Sequence, residues 1–179
     1  MGGMDTLDNI DANSPSPCSA VMVRAFAPSD LPEMTAIWNE VVHAGRAFPQ
    51  DEPLNPQEAA AFFGSQSFTG VAELDGRVAG LYILHPNDIG RKAHIANASY
   101  AVRSDIRGCG IGRALVSHSL AQLQPCGFRG LQFNAVVASN LGAIHLYESL
   151  GFTRVGTIPG GYRNINGDYE DMHIFFHSA

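Results

Sequence analysis

The chain has 179 residues, 45% of them hydrophobic, enough for one domain with a sizeable core. Eleven basic against seventeen acidic residues give a net charge of -6, and only 16% of residues are charged, which disfavours a nucleic-acid partner gripped through its phosphates. Lys92 is the only lysine, so an anion site here has to be built from arginine forks and backbone amides.

Residues 1–20 combine glycine, serine, proline and asparagine with Asp5, Asp8 and Asp11. Such a composition cannot offset the entropy of ordering, so a loose tail is expected, followed by one domain over residues 21–179. No cation precedes Arg24, and the longest apolar run, residues 79–84, is far too short for a bilayer; neither a secretory signal nor a membrane span is expected. Cys18, Cys109 and Cys126 are odd in number and lack C-x-x-C spacing. Neither a disulfide framework nor a zinc site is expected, and a reducing cytoplasm fits best.

Along the chain, residues 21–26 read as a first strand. A helix follows whose Asp30 and Glu33 have capping-box spacing and whose Leu31, Met34, Trp38, Val41 and Val42 mark one face, ending near Gly45. A proline-rich passage leads to a short helix over residues 57–63. Two apolar runs, 68–74 and 77–84, flank Asp75-Gly76, a strong hairpin signal. Residues 94–102 read as a strand, 111–123 as a helix, and 131–137 as a buried strand. Asn140 then caps a helix with Ala143, Leu146, Tyr147 and Leu150 at helical spacing, stopped by Gly151. Two successive strand-to-helix units imply a parallel pair. Strands 153–158 and 169–176, joined across Asn166-Gly167, close the chain.

Arg107, Gly108, Cys109, Gly110, Ile111 and Gly112 place three alternate glycines between a strand and a helix N-terminus. Glycines there let backbone N–H groups approach an anion, and the positive helix end adds attraction. Arg103, Arg107, Arg113 and Arg129 against Asp105 make this stretch locally basic. A pyrophosphate is the natural guest, with a turn that merely packs helix on strand as the plain alternative. A nicotinamide fingerprint fails because Arg113 stands where its last glycine belongs. A Walker loop fails for want of a lysine followed by serine or threonine.

The loop together with NLGAIHLYESLGF resembles the GNAT superfamily of acyl-CoA-dependent N-acetyltransferases. Its R/Q-x-x-G-x-G/A loop is matched by Arg107, Gly110 and Gly112, and its later element by Asn140, Ala143, Tyr147, Gly151 and Phe152. The likeness spans roughly residues 21–177. It implies a mixed α/β fold with a central twisted sheet of about seven strands and helices on both faces. It implies acetyl-CoA as cosubstrate, its pantetheine arm lying against the backbone of Tyr100, Ala101 and Val102 and its pyrophosphate on the amides from Arg107 to Gly112, beside Arg113. It also implies that Tyr147 hydrogen-bonds or protonates the departing thiolate, with Asn140 beside it. The plain alternative for Tyr147 is core packing on its apolar stripe.

A narrower resemblance, carried by FPQ at Phe48, HPNDIGRKAHIANASY from His85 and FNAVVASN from Phe133, is to fungal N-acetyltransferases that detoxify azetidine-2-carboxylate and other proline analogues. It implies substrate and cofactor placement by Asn97, Asn134 and Asn140. Those enzymes carry an indole where Tyr147 stands. The acceptor is thus expected to be the amine of an amino acid or proline-like analogue, with a phosphinothricin-like amine, a polyamine or a non-catalytic acyl-CoA sensor as alternatives. Arg163 is a candidate for an acceptor carboxylate.

Glu40, Glu73 and His94 are candidate bases, beside a backbone-held water. His173 and His177 lie too far apart along a strand to share a metal, read as surface residues, and no metal is expected. Cys109 needs only to be small. The low charge count favours a homodimer.

Overall fold

The computed structural model describes residues 20–106 and 108–179; the tail expected over residues 1–20 lies almost wholly outside the described residues. The elements in chain order are β1 (Met22–Ala25), α1 (Leu31–Ala44), α2 (Pro56–Gly64), β2 (Phe68–Leu74), β3 (Arg77–Pro86), β4 (Ile95–Val102), α3 (Ile111–Gln122), β5 (Gly130–Val137), α4 (Leu141–Ser149), β6 (Thr153–Arg163) and β7 (Tyr169–Ser178). They form the expected mixed α/β fold around one seven-stranded sheet of order β1-β2-β3-β4-β5-β7-β6.

Two cores cover the two faces of this sheet. On one, α1 and α2 bring Met34, Trp38 and Phe63 against Val71, Leu81 and Ala101. On the other, α3 brings Leu115, Val116 and Leu123 against Tyr82, Leu131 and Phe133. Burial on both faces explains why Val78 to Leu84 is an unbroken apolar run rather than an alternating one. Asp75 and Gly76 take positive φ values of 51° and 75°, and β2 and β3 pair antiparallel around them as the hairpin signal requires.

Three expectations are corrected. Asp30 does not cap α1. Its carboxylate accepts from both Arg24 Nη atoms at 2.7 and 3.0 Å and from Ala27 N at 2.7 Å, because a strand-end arginine is a stronger partner than a helix amide. The capping box belongs to α2, where Asn55 accepts from Gln57 N and Glu58 N while Glu58 reaches back to Asn55 N. Finally, His173 and His177 are not surface residues. β7 inserts between β5 and β6, so His173 is 9% exposed with Nδ1 at 2.9 Å from Thr157 Oγ1, and the half-buried His177 packs on Phe152. Pairing to two strands, not position near the chain's end, decides burial.

No helix among the described residues is long and apolar enough to cross a membrane. Among the described residues Cys109 is disulfide-bonded and Cys126 is free, which is not the disulfide framework that the odd, unpatterned cysteines argue against. Pairing depends on Cβ atoms approaching to about 4 Å, which linear spacing does not encode.

Candidate active site

β4 and β5 pair in parallel only at Ile95–Gly130 and Ala96–Leu131. Beyond Ala96 the ladder stops although both strands continue, so the sheet opens into a wedge. Alternate residues of a strand turn their N–H and C=O groups to opposite neighbours. Arg103 N donates to Ala79 O at 3.0 Å, and Ala101 pairs with Leu81 in the same register, so the backbone groups of Ala101 belong to β3. Tyr100 and Val102, one step out of phase, direct theirs at the wedge. Of the three residues expected to line a cofactor arm, the alternation therefore leaves two facing it.

The glycine loop follows directly. Gly108 and Gly110 take φ values of 75° and 73°, and Gly110 is the N-cap of α3, a conformation that costs other L-residues about 1–2 kcal/mol. With Gly110, Ile111 and Gly112 at the first turn, unpaired amides face outward where the helix end is positive. Arg107 lies outside the described residues. Arg113 donates to Ser149 Oγ at 2.7 Å, tying α3 to α4.

Tyr147 enters the wedge from α4. Its ring centroid lies 4.5 Å from that of Phe133, 5.6 Å from Phe152 and 6.4 Å from Tyr100, and burial pushes its hydroxyl up to about 12. That hydroxyl has no hydrogen-bond partner among the described residues, yet the fully buried side-chain polar atoms without a hydrogen bond there are Glu33 Oε2 and His177 Nδ1. The ring is thus packed while its hydroxyl is uncommitted among the described residues, so packing and function are compatible. Tyr100 is committed differently, its hydroxyl 2.7 Å from Ser119 Oγ on α3.

The three asparagines are not gathered at one point. Asn97 Oδ1 accepts from Ala98 N at 2.8 Å. Asn134 donates to Asn87 Oδ1 at 2.5 Å and accepts from Gln132 Nε2 at 2.8 Å, beside the break in β5–β7 register between Phe133 and Val136. Asn140 caps α4 through Ala143 N at 3.3 Å and lines a cavity of about 460 Å³ with Arg46, Ser139, Asn164, Ile165 and Glu170. Arg163, exposed at the end of β6 and in register with Tyr169, is not in that lining.

Among the candidate bases, Glu73 is ion-paired to Arg24 at 3.1 Å at the far edge of the sheet, and His94 precedes β4 at the end away from the loop. Glu40 accepts from Ser104 N at 3.3 Å, on the loop side. The cavity carboxylate that the sequence reading missed is Glu170. Hydrogen bonds from Ser139 and Asn164 hold it below the usual carboxylate range. Arg46 was also missed: it sits in the proline-rich passage with no helical or strand period to mark its direction. No metal-binding cluster of His, Cys, Asp or Glu is present among the described residues.

The sequence profile described as Acetyltransferase (GNAT) family matches residues 33–152. N-acetyltransferase aca1 of Schizosaccharomyces pombe is 31% identical over 163 residues, spanning 81% of this chain and 78% of that protein. Phosphinothricin N-acetyltransferase of Alcaligenes faecalis is 28% identical over 144 residues, spanning 78% and 73%. Among solved structures, a GCN5-related N-acetyltransferase from Kribbella flavida superposes with a TM-score of 0.82 at 34% identity, covering 89% of this chain and 98% of that one.

Proposed function

The chain belongs to the GNAT acetyltransferase family, and from that premise we propose that it transfers the acetyl group of acetyl-CoA to the amine of a small amino acid or proline-like analogue, by direct attack within a ternary complex. The observation that carries this reading is the wedge beyond Ala96, which opens beside the glycine loop and receives the free hydroxyl of Tyr147. Backbone groups of Tyr100 and Val102 take the pantetheine arm, and the first-turn amides of α3, beside Arg113, take the pyrophosphate.

The amine, its ammonium proton first lost to water, forms the new bond to the thioester carbon; the nitrogen then gives up a proton to water as the carbon–sulfur bond breaks with its electron pair on sulfur. Donors are needed at the oxygen and then at the sulfur. A phenol near 12 stays protonated at neutral pH. Handing its proton to a thiolate of ordinary basicity, about 8.5, would be uphill by roughly 5 kcal/mol. Tyr147 therefore stabilises the leaving thiolate by donating a hydrogen bond, and solvent supplies the proton. Asn140 holds the start of α4 in place and offers its amide to the cavity. Asn134, bonded to Asn87, and Asn97, bonded to Ala98 N, complete the acceptor side. A phosphinothricin-like acceptor is the second reading, favoured by the name of the relative from Alcaligenes faecalis.

Two copies are part of the proposal. β6 is the outermost strand and exposes Val155 at 59% and Ile158 at 43%, an edge that pairing would cover. Thiol release from saturating acetyl-CoA, across azetidine-2-carboxylate, proline, other amino acids, phosphinothricin, polyamines and a lysine peptide, tests the activity. Release with the imino acids above all others is the expected result. Silence across the panel, with acetyl-CoA still raising the melting temperature, would replace the catalytic reading with a sensor.

A further inference from the structure

The 460 Å³ cavity is bounded by the α1–α2 loop on one side and the β6–β7 hairpin on the other, with Ser139 and Asn140 also in its lining. Two clamps hold that loop on the hairpin. Gly45 ends α1 at φ +58°, so close to the hairpin tip that a Cβ there would lie 3.0 Å from Ile165 Cβ. Three residues on, the buried Tyr162 hydroxyl donates to Phe48 O at 3.1 Å. Arg46 lies between these clamps, so its backbone is placed by packing rather than left to a mobile loop.

The polar groups opposite are already committed. Asn164 Oδ1 accepts from Asn166 N and Asp168 N, both at 3.0 Å, and its Nδ2 donates to Glu170 Oε1 at 3.0 Å. Asn140 Oδ1 is taken by Ala143 N. Arg46 makes no hydrogen bond or ion pair with any described residue, whereas Arg24 and Arg103 are bound to carboxylates. The Arg46 guanidinium also borders a second, smaller hollow of about 120 Å³ that runs along α1 to Val102, the last residue of β4. Arg46 therefore stands between the cavity and the end of β4 that flanks the wedge.

We propose that Arg46 recognises the acceptor's carboxylate, and that Glu170 across the cavity excludes acceptors bearing a second anion. A planar guanidinium engages a carboxylate through two parallel N–H bonds, which fixes the acid's orientation as well as its charge. Glu170 feels Arg46 but is held by Ser139 and Asn164 instead, so it stays an anion facing the ligand. The class selected is an amino or imino acid with one carboxylate; its amide, the parent amine, and dianionic acceptors such as glutamate or phosphinothricin are disfavoured. This inference rests on the acetyl-transfer reading above.

The test compares kcat/KM for azetidine-2-carboxylate and its carboxamide at saturating acetyl-CoA in wild type, R46Q and R46K, with calorimetric binding of the acid to the CoA-bound protein alongside. Arg46 is exposed, so its variants fold. R46Q lowers the acid-to-amide ratio at least tenfold, through KM, and R46K recovers part of it. Glu170→Gln raises the glutamate-to-azetidine-2-carboxylate ratio at least tenfold. Equal losses for acid and amide in R46Q, or an unchanged ratio, overturn the assignment. Turnover only with amines lacking a carboxylate overturns it while leaving acetyl transfer intact. If no amine turns over, the transfer reading fails; Arg46-dependent calorimetric binding of the acid then upholds this inference, and absence of such binding overturns it.

Discussion

The half of the molecule built from β1 to β4 with α1 and α2 differs from the half built from β5 to β7 with α4 in how completely it closes. In the first, Trp38 is 1% exposed and ringed by Phe48, Phe62 and Phe63 at centroid distances of 4.4–5.7 Å. In the second, α4 has no fully buried residue and β6 is exposed along nearly its whole length. The wedge lies at the boundary between them, where the β4–β5 ladder stops after two pairs. Burial is concentrated on one side, while the seam and the looser side carry a strand backbone without a ladder partner and a tyrosine hydroxyl without a bond among the described residues.

Substitutions break this division at different strengths. Trp38→Ala empties the centre of the closed half and is expected to cost about 3–5 kcal/mol in chemical denaturation. Asp30→Asn removes charge-assisted bonds from Arg24 and is expected to cost about 2 kcal/mol. Arg24 holds the Asp30 carboxyl below its ordinary range. That stabilisation is present above the unfolded-chain value, near 3.9, and is lost as pH falls through the lower folded value, so D30N flattens the acid side of the stability profile. Tyr147→Phe is expected to lower kcat roughly 10- to 100-fold. Because its hydroxyl makes no bond with any described residue, acetyl-CoA affinity and melting temperature are expected to stay nearly unchanged; an unchanged kcat removes it from the mechanism. Gly110→Ala meets open space but a φ of 73°, so a loss of about 1 kcal/mol is expected together with weaker acetyl-CoA binding by calorimetry. On the open side, Val155→Lys is expected to change the denaturation midpoint by less than about 0.5 kcal/mol while giving a monomer in sedimentation.

Much of the fold was legible because its signals are local. Asp75-Gly76, the helical stripe through Ala143 and Tyr147, and the unbroken run ending at Leu84 each report a backbone state within a few residues. The glycine loop and Tyr147 were legible for the same reason. Asp30 was misjudged because its partner, Arg24, lies across a turn on a strand. His173 was misjudged because nothing near it says that the last strand slots between two others.

The amino-acid sequence by itself determined where helices and strands run, where the glycine loop sits and which tyrosine shares its helix with a capping asparagine, since these follow from periodicity and turn chemistry along the chain. Tertiary structure alone decided that β4 and β5 part after Ala96, that Ala101 turns its backbone to β3, and that Arg46 and Glu170 face one cavity. Those facts depend on strand register and, for Arg46 and Glu170, on segments more than a hundred residues apart, and no local pattern encodes them.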